Sequence, residues 1–410
     1  MKFQTIKNVG HLIEAVVANL WYGFPSRNLV MIGVTGTDGK TTTSSIVYQI
    51  LRSAGKKTAM ISTVGAYIGD TVYDVGFHVT TPSSFAVQRY LRQAVDQGIT
   101  HVVLEVTSHS LDQNRVWGIH FLVGVLTNIT HEHLDYHETY GKYLEAKAML
   151  LQRSDVAVIN ADDNSYHSIV KILARHVIIP YGKGKNARET FLSFPFTTSL
   201  QGEYNHYNAL AAAIACREVG IPRSQIEDAL MHIQPPKGRR EVVYDTLFRV
   251  IVDFAHTPNA FHVLLPEIRK EAKGRVIHVF GSASKRDTTK RPLMGKESSA
   301  YSDIIILTAE DPRNEPVEKI CKEIATGITR FKECREDFLP KTDETRLYYI
   351  IPDRKKAIEK AIALSKKGDV VVVTGKSHET SMNYGKGEEP WNEFETIATA
   401  LSESKVENIK

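Results

Sequence analysis

The stretch LVMIGVTGTDGKTTT, residues 29–43, decides how the rest of the chain is read. It opens as a continuous apolar run, breaks at Gly36 and Gly39, and continues into helical patterning. An unbroken apolar run, as opposed to an alternating one, marks a strand covered on both faces, as in a parallel sheet. A glycine turn between strand and helix lets main-chain N–H groups face phosphate oxygens, and the helix N-terminus adds partial positive charge. Lys40 can then reach the terminal phosphates of a nucleotide and Thr41 can ligate magnesium. Val34 stands where the strict pattern expects a glycine, six residues before Lys40. The competing reading is a tight glycine turn that binds nothing.

Outward from this loop the same motif of apolar run and polar tail recurs. It is found in HVVLEVTSHS (101–110), LVGVLTNITHEH (122–133), VAVINADD (156–163), RVIVDFAHTP (249–258), RVIHVFGSASKRD (275–287), DIIILTAEDPR (303–313) and DVVVVTGKSHE (369–379). Helical patterning follows the runs, so the class is α/β with mostly parallel sheets. In such sheets ligands sit beyond the carboxyl ends of the strands, which directs attention to the polar tails.

The chain has 410 residues, room for two or three domains at about 150 each. The Pro235-Pro236 pair, within Gln234–Gly238, stops the helical stretch before it and sets a boundary. The expected organisation is a leading amphipathic helix (1–30), a P-loop domain (31–237) and a second, Rossmann-like α/β domain (238–410). With 51 Lys and Arg against 47 Asp and Glu, the net charge is only +4, which gives no reason to expect a nucleic-acid partner. Three scattered cysteines, Cys216, Cys321 and Cys334, form no disulfide framework or zinc ribbon. No run of 18 apolar residues occurs and the N-terminus lacks a signal-peptide core, so a cytoplasmic protein without membrane insertion is expected.

Three further features carry possible chemistry. Glu105 ends the HVVLEV run, where a carboxylate facing a P-loop commonly handles magnesium; a solvated strand end is the plain alternative. The segment Thr130–His137 packs three histidines and two acids into eight residues. It is compatible with zinc, or with one histidine helping a magnesium or phosphate site. Lys147 falls on the apolar side of a helical pattern, four residues after Tyr143. It reads either as a snorkelling lysine or as a partly buried amine neutral enough to react with carbon dioxide.

Taken together, the motifs resemble the Mur ligases, ATP-dependent amide-bond-forming enzymes of cell-wall precursor synthesis. Within them the resemblance is to the MurE-type UDP-N-acetylmuramyl-tripeptide synthetases, which add the third residue of the stem peptide. It spans roughly residues 10 to 400 through TGTDGKTTT (35–43), TTPS (80–83), LEVTSHSLDQNR (104–115), NITHEHLDYH (128–137), YLEAKAML (143–150), GEYNHYNALAA (202–212), GRREVV (238–243), DFAHTPNAF (253–261), FGSASKRDTTKRPLMG (280–295), EDPRNE (310–315) and TGKSHE (374–379).

The resemblance implies that Gly36, Thr37, Asp38, Gly39, Lys40, Thr41 and Thr42 hold ATP phosphates. Magnesium would be bound by Thr41, Glu105, His133 and Lys147, the last matching a lysine that is carbamylated. Asn208 matches the asparagine near the adenine, and Arg240, Asp253 and His256 fall in motifs that close on the nucleotide. Thr80, Thr81, Ser108, Gln113 and Arg115 match residues around a muramyl-peptide donor. Arg286, Asp311, Arg313, Gly375 and Glu379 match the pocket for the incoming amino acid. ATP would phosphorylate the donor carboxylate, and an amine would displace phosphate from the acyl phosphate. Arg313 would pair bidentately with the distal carboxylate of meso-diaminopimelate, which a lysine acceptor would leave unmatched. Diaminopimelate is therefore the expected acceptor, with lysine next.

Several positions depart from the family pattern: Asp38 for asparagine, Glu132 for aspartate, Ser282–Lys285 for a glycine-rich acidic stretch, Glu310-Asp311 for Asp-Asn, and Ser377 for glycine. About 30 residues precede Gly33, too few for the domain that holds the donor's uridine diphosphate in relatives. The expected donors are therefore a muramyl peptide recognised without uridine, a lipid-linked precursor, or UDP held by a partner chain. Two other readings stand beside this one: a ligase of the same superfamily acting on folate or a poly-amino acid, and an inactive nucleotide-binding scaffold.

Overall fold

A computed structural model describes residues 2–76, 80–130, 134–284, 287–340 and 344–404. The chain divides into two compact units, residues 1–236 and 237–410.

The first unit is built on eight strands: β1 (Val30–Thr35), β2 (Thr58–Ser62), β3 (Gly65–Ile68), β4 (Thr71–Tyr73), β5 (His101–Glu105), β6 (Phe121–Leu126), β7 (Ser154–Asn160) and β8 (Val177–Tyr181). They lie in the order β4-β3-β2-β5-β1-β6-β7-β8. All neighbours from β2 to β8 run parallel, while β3 and β4 are added as an antiparallel edge. The apolar runs are continuous because successive residues feed two cores. Ile32 and Val34 pack on one face with Val103, Val123 and helix α2 (Lys40–Ser53), whereas Met31, Val102 and Leu104 pack on the other. The alanine-rich helix Glu203–Glu218 buries Ala209 to Cys216 against α2. Small side chains there allow the two helices to approach closely.

The leading helix α1 (Lys2–Tyr22) is followed by a short 3₁₀ turn, Pro25–Asn28, before β1 begins. Its burial differs from a simple amphipathic pattern. Ala15, Ala18 and Asn19 face inward, and Val9, Ile13, Val17, Leu20 and Trp21 are exposed. Small residues buy close packing on one side while the larger apolar ones remain in solvent.

The second unit carries β9 (Glu241–Asp245), β10 (Arg249–Asp253), β11 (Val276–Phe280), β12 (Ile304–Leu307), β13 (Lys332–Cys334), β14 (Leu347–Ile350) and β15 (Val370–Thr374). Their order is β13-β14-β12-β11-β15-β10-β9, parallel except for the β9 edge. Val250, Ile277, Ile306 and Val371 fill one core, and Ile251, Val276, Ile305 and Val372 the other. Among the described residues no helix is long and apolar enough to cross a membrane.

Candidate functional site

In the first unit the central strand β1 lies between β5 and β6, with Val34 beside Glu105 and Thr35 beside Leu126. The carboxyl ends of these strands therefore deliver the glycine loop, Glu105 and Thr127 to one place. Both loop glycines are dictated by space. A Cβ on Gly36 would fall 1.8 Å from Thr127 Oγ1, and one on Gly39, where φ is 80°, would fall 2.4 Å from Asn208 Oδ1. The loop is held from outside: Asp38 N donates to Asn128 Oδ1 at 2.9 Å, and Thr127 Oγ1 donates to the Asp38 carbonyl at 2.6 Å. Thr37 Oγ1 lies 3.0 Å from the Tyr143 hydroxyl. Lys40 Nζ donates to the Thr37 carbonyl at 2.8 Å. Thr42 is buried in the first turn of α2. Asn208 accepts from Thr43 Oγ1 at 3.3 Å and donates to Asn205 at 3.3 Å, which places it against the start of α2.

Glu105 is 1% exposed. Its carboxylate accepts from Thr41 Oγ1 at 3.0 Å, from Thr63 N at 3.0 Å and from Thr63 Oγ1 at 3.1 Å. Thr63 Oγ1 also lies 3.1 Å from Thr80 Oγ1, from which it can accept, and Thr81 Oγ1 donates to the Glu105 carbonyl at 3.0 Å. Arg115 Nη1 donates to the Thr81 carbonyl at 2.7 Å, and its Nε and Nη2 share Gln113 Oε1 at 3.0 and 2.7 Å. Gln113 in turn donates to the Tyr136 hydroxyl at 3.2 Å. Burial and the Asp112 carboxylate push that phenol up to about 12, so it stays protonated and donates to Asp112. Ser108 Oγ is 3.0 Å from His137 Nε2. Thr80, Thr81, Ser108, Gln113 and Arg115 thus gather around the same strand ends as the P-loop.

Lys147, on the helix Tyr140–Gln152, is 2% exposed. Its Nζ donates to the Gly36 carbonyl at 2.6 Å and lies 4.6 Å from the centre of the Tyr143 ring. The amine does not snorkel; it is buried under the glycine loop. His133 lies outside the described residues. Among the described residues no three His, Cys, Asp or Glu side chains are grouped to share a metal, and His137 is occupied with Ser108. The oxygen pair of Glu105 and Thr41 is instead the hard-donor chemistry that suits magnesium.

In the second unit, loops after β12 and β15 flank the end of β11. Lys376, fully buried, donates to both oxygens of Asp311 at 3.1 and 3.0 Å and pairs with Glu379 at 2.5 Å. A Cβ on Gly375, where φ is 104°, would fall 2.5 Å from Glu310 Oε2. Burial pushes Glu310 up to about 7, opposed by Lys290, Arg354 and Lys376. Arg354 ties the two loops: it donates to the carbonyls of Ala309 and Thr374 at 3.0 and 2.7 Å while pairing with buried Glu393 at 2.5 Å. Arg313 has φ 49° and anchors its N–H on the Asn383 carbonyl at 2.8 Å. Ser377, which interrupts the expected glycine pattern, adopts φ 50° and donates its hydroxyl to the Gly238 carbonyl at 2.7 Å. Arg286 lies outside the described residues.

Asp253 ends β10 and accepts from the N–H groups of Arg240 and Ala255, both at 2.7 Å. Burial raises its carboxyl, against the pull of Arg239 and Arg240. The Arg240 side chain pairs with Glu271, and His256 Nδ1 is 2.9 Å from the Phe254 carbonyl. Motif reading missed Thr63 and Lys376. Thr63 follows β2 with no motif around it, and Lys376 sits inside TGKSHE without having been singled out. Asn128, Tyr136 and Tyr143 lay within quoted segments but carried no residue-specific signal.

The fold and its loops define a P-loop α/β protein with a second doubly wound unit. Residues 34–216 match the Mur ligase middle domain, and residues 238–377 match the Mur ligase glutamate ligase domain. A UDP-N-acetylmuramoyl-L-alanyl-D-glutamate–2,6-diaminopimelate ligase of Clostridium acetobutylicum is 37% identical over 96% of this chain and 82% of its own. The Aquifex aeolicus ligase of the same name is 38% identical over 94% and 80%. A solved structure of such a ligase has a TM-score of 0.61 at 29% identity, covering 92% of this chain and 79% of that one. Mycobacterium tuberculosis folylpolyglutamate synthase complexed with ADP, at 16% identity and a TM-score of 0.69 over 89% of this chain and 91% of its own, shares the fold. The chain belongs to the Mur ligase family, and it is a ligase.

Proposed function

We propose that this chain joins meso-diaminopimelate to the terminal carboxylate of a muramyl dipeptide, with ATP cleaved to ADP and phosphate, as a step in making peptidoglycan precursors. The observation that carries the reading is Glu105: its carboxylate accepts from Thr41 of the phosphate loop, and its carbonyl accepts from Thr81 of the donor segment. One strand end therefore joins the groups expected to hold ATP to those expected to hold the donor.

In this reading residues 31–237 form the ATP- and donor-binding domain and residues 238–410 the acceptor-binding domain. Gly36 to Thr42 cradle the phosphates, and Lys40 turns from the Thr37 carbonyl to the γ-phosphate. Arg115 and Gln113 fix the donor so that a carboxylate oxygen attacks the γ-phosphorus and ADP leaves. The acceptor amine then attacks the acyl carbon, loses a proton, and phosphate departs with the former carboxylate oxygen. The chain's contribution is positioning and charge stabilisation, with no protein nucleophile.

The donor set fits Mg²⁺: Thr41 and Glu105 offer hard oxygens 3.0 Å apart, and Lys147, carbamylated, would offer another oxygen ligand beside the loop, with His133. When bound, the metal would offset the charge gathered where carboxylate meets phosphate. Asn208 contacts the nucleoside side, and Arg240, Asp253 and His256 serve the nucleotide from the second domain. Arg313, Asp311, Glu379, Gly375 and Arg286 receive the diamino acid. We place the reaction in the cytoplasm, with a partner chain as one source of donor recognition.

The test is ADP formation with purified protein, pairing UDP-muramyl dipeptide, free muramyl dipeptide or a lipid-linked form with diaminopimelate, lysine or glutamate. Turnover that needs both a muramyl dipeptide and diaminopimelate supports the reading. Turnover only on a folate with glutamate, or ATP binding with no turnover on any pair, overturns it.

A further inference from the structure

We propose that the Tyr143 hydroxyl is a positioning group for phosphoryl transfer: through Thr37 it holds the glycine loop, the tail of β6 and the helix Tyr140–Gln152 in register. The inference rests on the reading above, which assigns those three segments to ATP and its metal. Thr41 follows the loop, His133 lies on the tail and Lys147 on the helix, so their relative placement depends on how the three segments are fastened together.

One face of the helix grips the loop and the tail at three successive points. Residues 140, 143 and 147 follow the spacing of a single helix face. Tyr140 donates its hydroxyl to the Ile129 carbonyl at 3.2 Å, the Tyr143 hydroxyl lies 3.0 Å from Thr37 Oγ1, and Lys147 donates to the Gly36 carbonyl at 2.6 Å. Thr37 is the joint. Its N–H donates to the Asn128 carbonyl at 2.9 Å, its Oγ1 accepts from Thr130 N at 3.0 Å, and its carbonyl accepts from Lys40 Nζ at 2.8 Å. With the Thr130 N–H on one lone pair, the hydroxyl can still share a hydrogen with the Tyr143 oxygen. Both side chains are buried, where a hydrogen bond fixes position more firmly than it does in water. The same Tyr143 ring lies with Lys147 Nζ 4.6 Å from its centre. A phenylalanine would fill that space equally well, so the hydroxyl answers to the loop. Tyr143 touches no reacting atom and is a positioning residue.

The test separates hydroxyl from shape. Tyr143→Phe keeps the ring and should lower kcat about tenfold, the worth of one hydrogen bond, while ATP affinity read by titration stays within about threefold. Thr37→Val keeps the shape of threonine and loses its hydroxyl, whereas Thr37→Ser keeps the hydroxyl and loses the methyl group. Thr37→Val should lose at least about tenfold in kcat and Thr37→Ser no more than about threefold; a packing role predicts the opposite order. Because both changes break one contact, adding Tyr143→Phe to Thr37→Val should cost less than about a further twofold. Additive losses, an unchanged kcat in Tyr143→Phe, or ATP affinity falling in step with kcat would overturn the proposal. A Tyr143→Phe protein that does not fold makes the hydroxyl structural and overturns it too. Rates are taken on whichever donor and acceptor the wild-type protein turns over. If that pair is not a muramyl dipeptide with diaminopimelate, the proposed function fails while the variants still judge this inference; if no pair is turned over, both fail.

Discussion

At the carboxyl end of the first sheet, Lys40 and Lys147 donate to main-chain carbonyls of the glycine loop, and Glu105 takes hydroxyls and an amide N–H. At the carboxyl end of the second sheet, Lys376 sits between Asp311 and Glu379, and Arg354 pairs with Glu393. A carbonyl orients a lysine without cancelling its charge, and in the proposed reading Lys40 offers that charge to the phosphates. A carboxylate offsets it, so Lys376 is held within an ion-paired cluster. The two units use the same strand-end architecture differently: the first holds its lysines on main-chain carbonyls, and the second holds its lysine between carboxylates.

The comparison breaks most readily at Lys147. If its buried amine serves the phosphates through a carbamate, Lys147→Ala should lower kcat by about a thousandfold while leaving ATP affinity within a few-fold, and short carboxylic acids should partly restore turnover. Steady-state kinetics with and without added acetate, beside ATP titration, decides it. Unchanged activity would remove Lys147 from the site.

On the second sheet, Arg313→Ala should cost diaminopimelate about 30-fold in kcat/KM, by loss of a charge-assisted pair, and cost lysine far less. Equal losses for the two acceptors would mean that Arg313 only shapes the loop.

Glu310 sharpens the contrast through pH. Its folded pKa of about 7 lies above the usual 4.5, so the folded chain holds a proton the unfolded chain has released between those values. That group makes the protein less stable as pH rises from 5 to 8. Glu310→Gln removes the loss, and the variant should gain about 1–2 kcal/mol relative to wild type between those pH values in urea denaturation. Parallel curves for variant and wild type would show that Glu310 is ionised throughout.

The smallest effect is expected at Ser377. Replacing it with glycine relieves a left-handed backbone but loses the hydrogen bond to the Gly238 carbonyl, terms of about 1 kcal/mol each that oppose one another. Melting of Ser377→Gly should shift by no more than a few degrees. A larger loss would make the tie between the two loops a principal support of the pocket.

Much of this was legible because buried parallel strands write themselves as continuous apolar runs. Each of the eight quoted runs falls on a strand, two of which start one or two residues earlier, and their polar tails hold the P-loop, Glu105 and the Asp311 and Lys376 loops. The β3–β4 edge was not legible, since GAYI and TVY are short and broken by Gly69 and Asp70. Periodicity placed Lys147 on the apolar side of its helix but left open whether it snorkelled, because burial of its tip depends on the glycine loop above it. In α1 periodicity revealed an apolar stripe without revealing which face would be covered. Thr63 reaches Glu105 only because β2 pairs with β5, a contact across 42 residues that no local pattern encodes. Ser377 read as an interruption of a glycine motif; its hydroxyl bond to Gly238 compensates for the backbone it must adopt.

The most direct measurement is the fate of oxygen. With a donor labelled by ¹⁸O in its terminal carboxylate, turnover with ATP and diaminopimelate should release phosphate carrying one ¹⁸O per amide bond formed. Unlabelled phosphate, or labelled phosphate released at the same rate without an amino acid, would contradict the account.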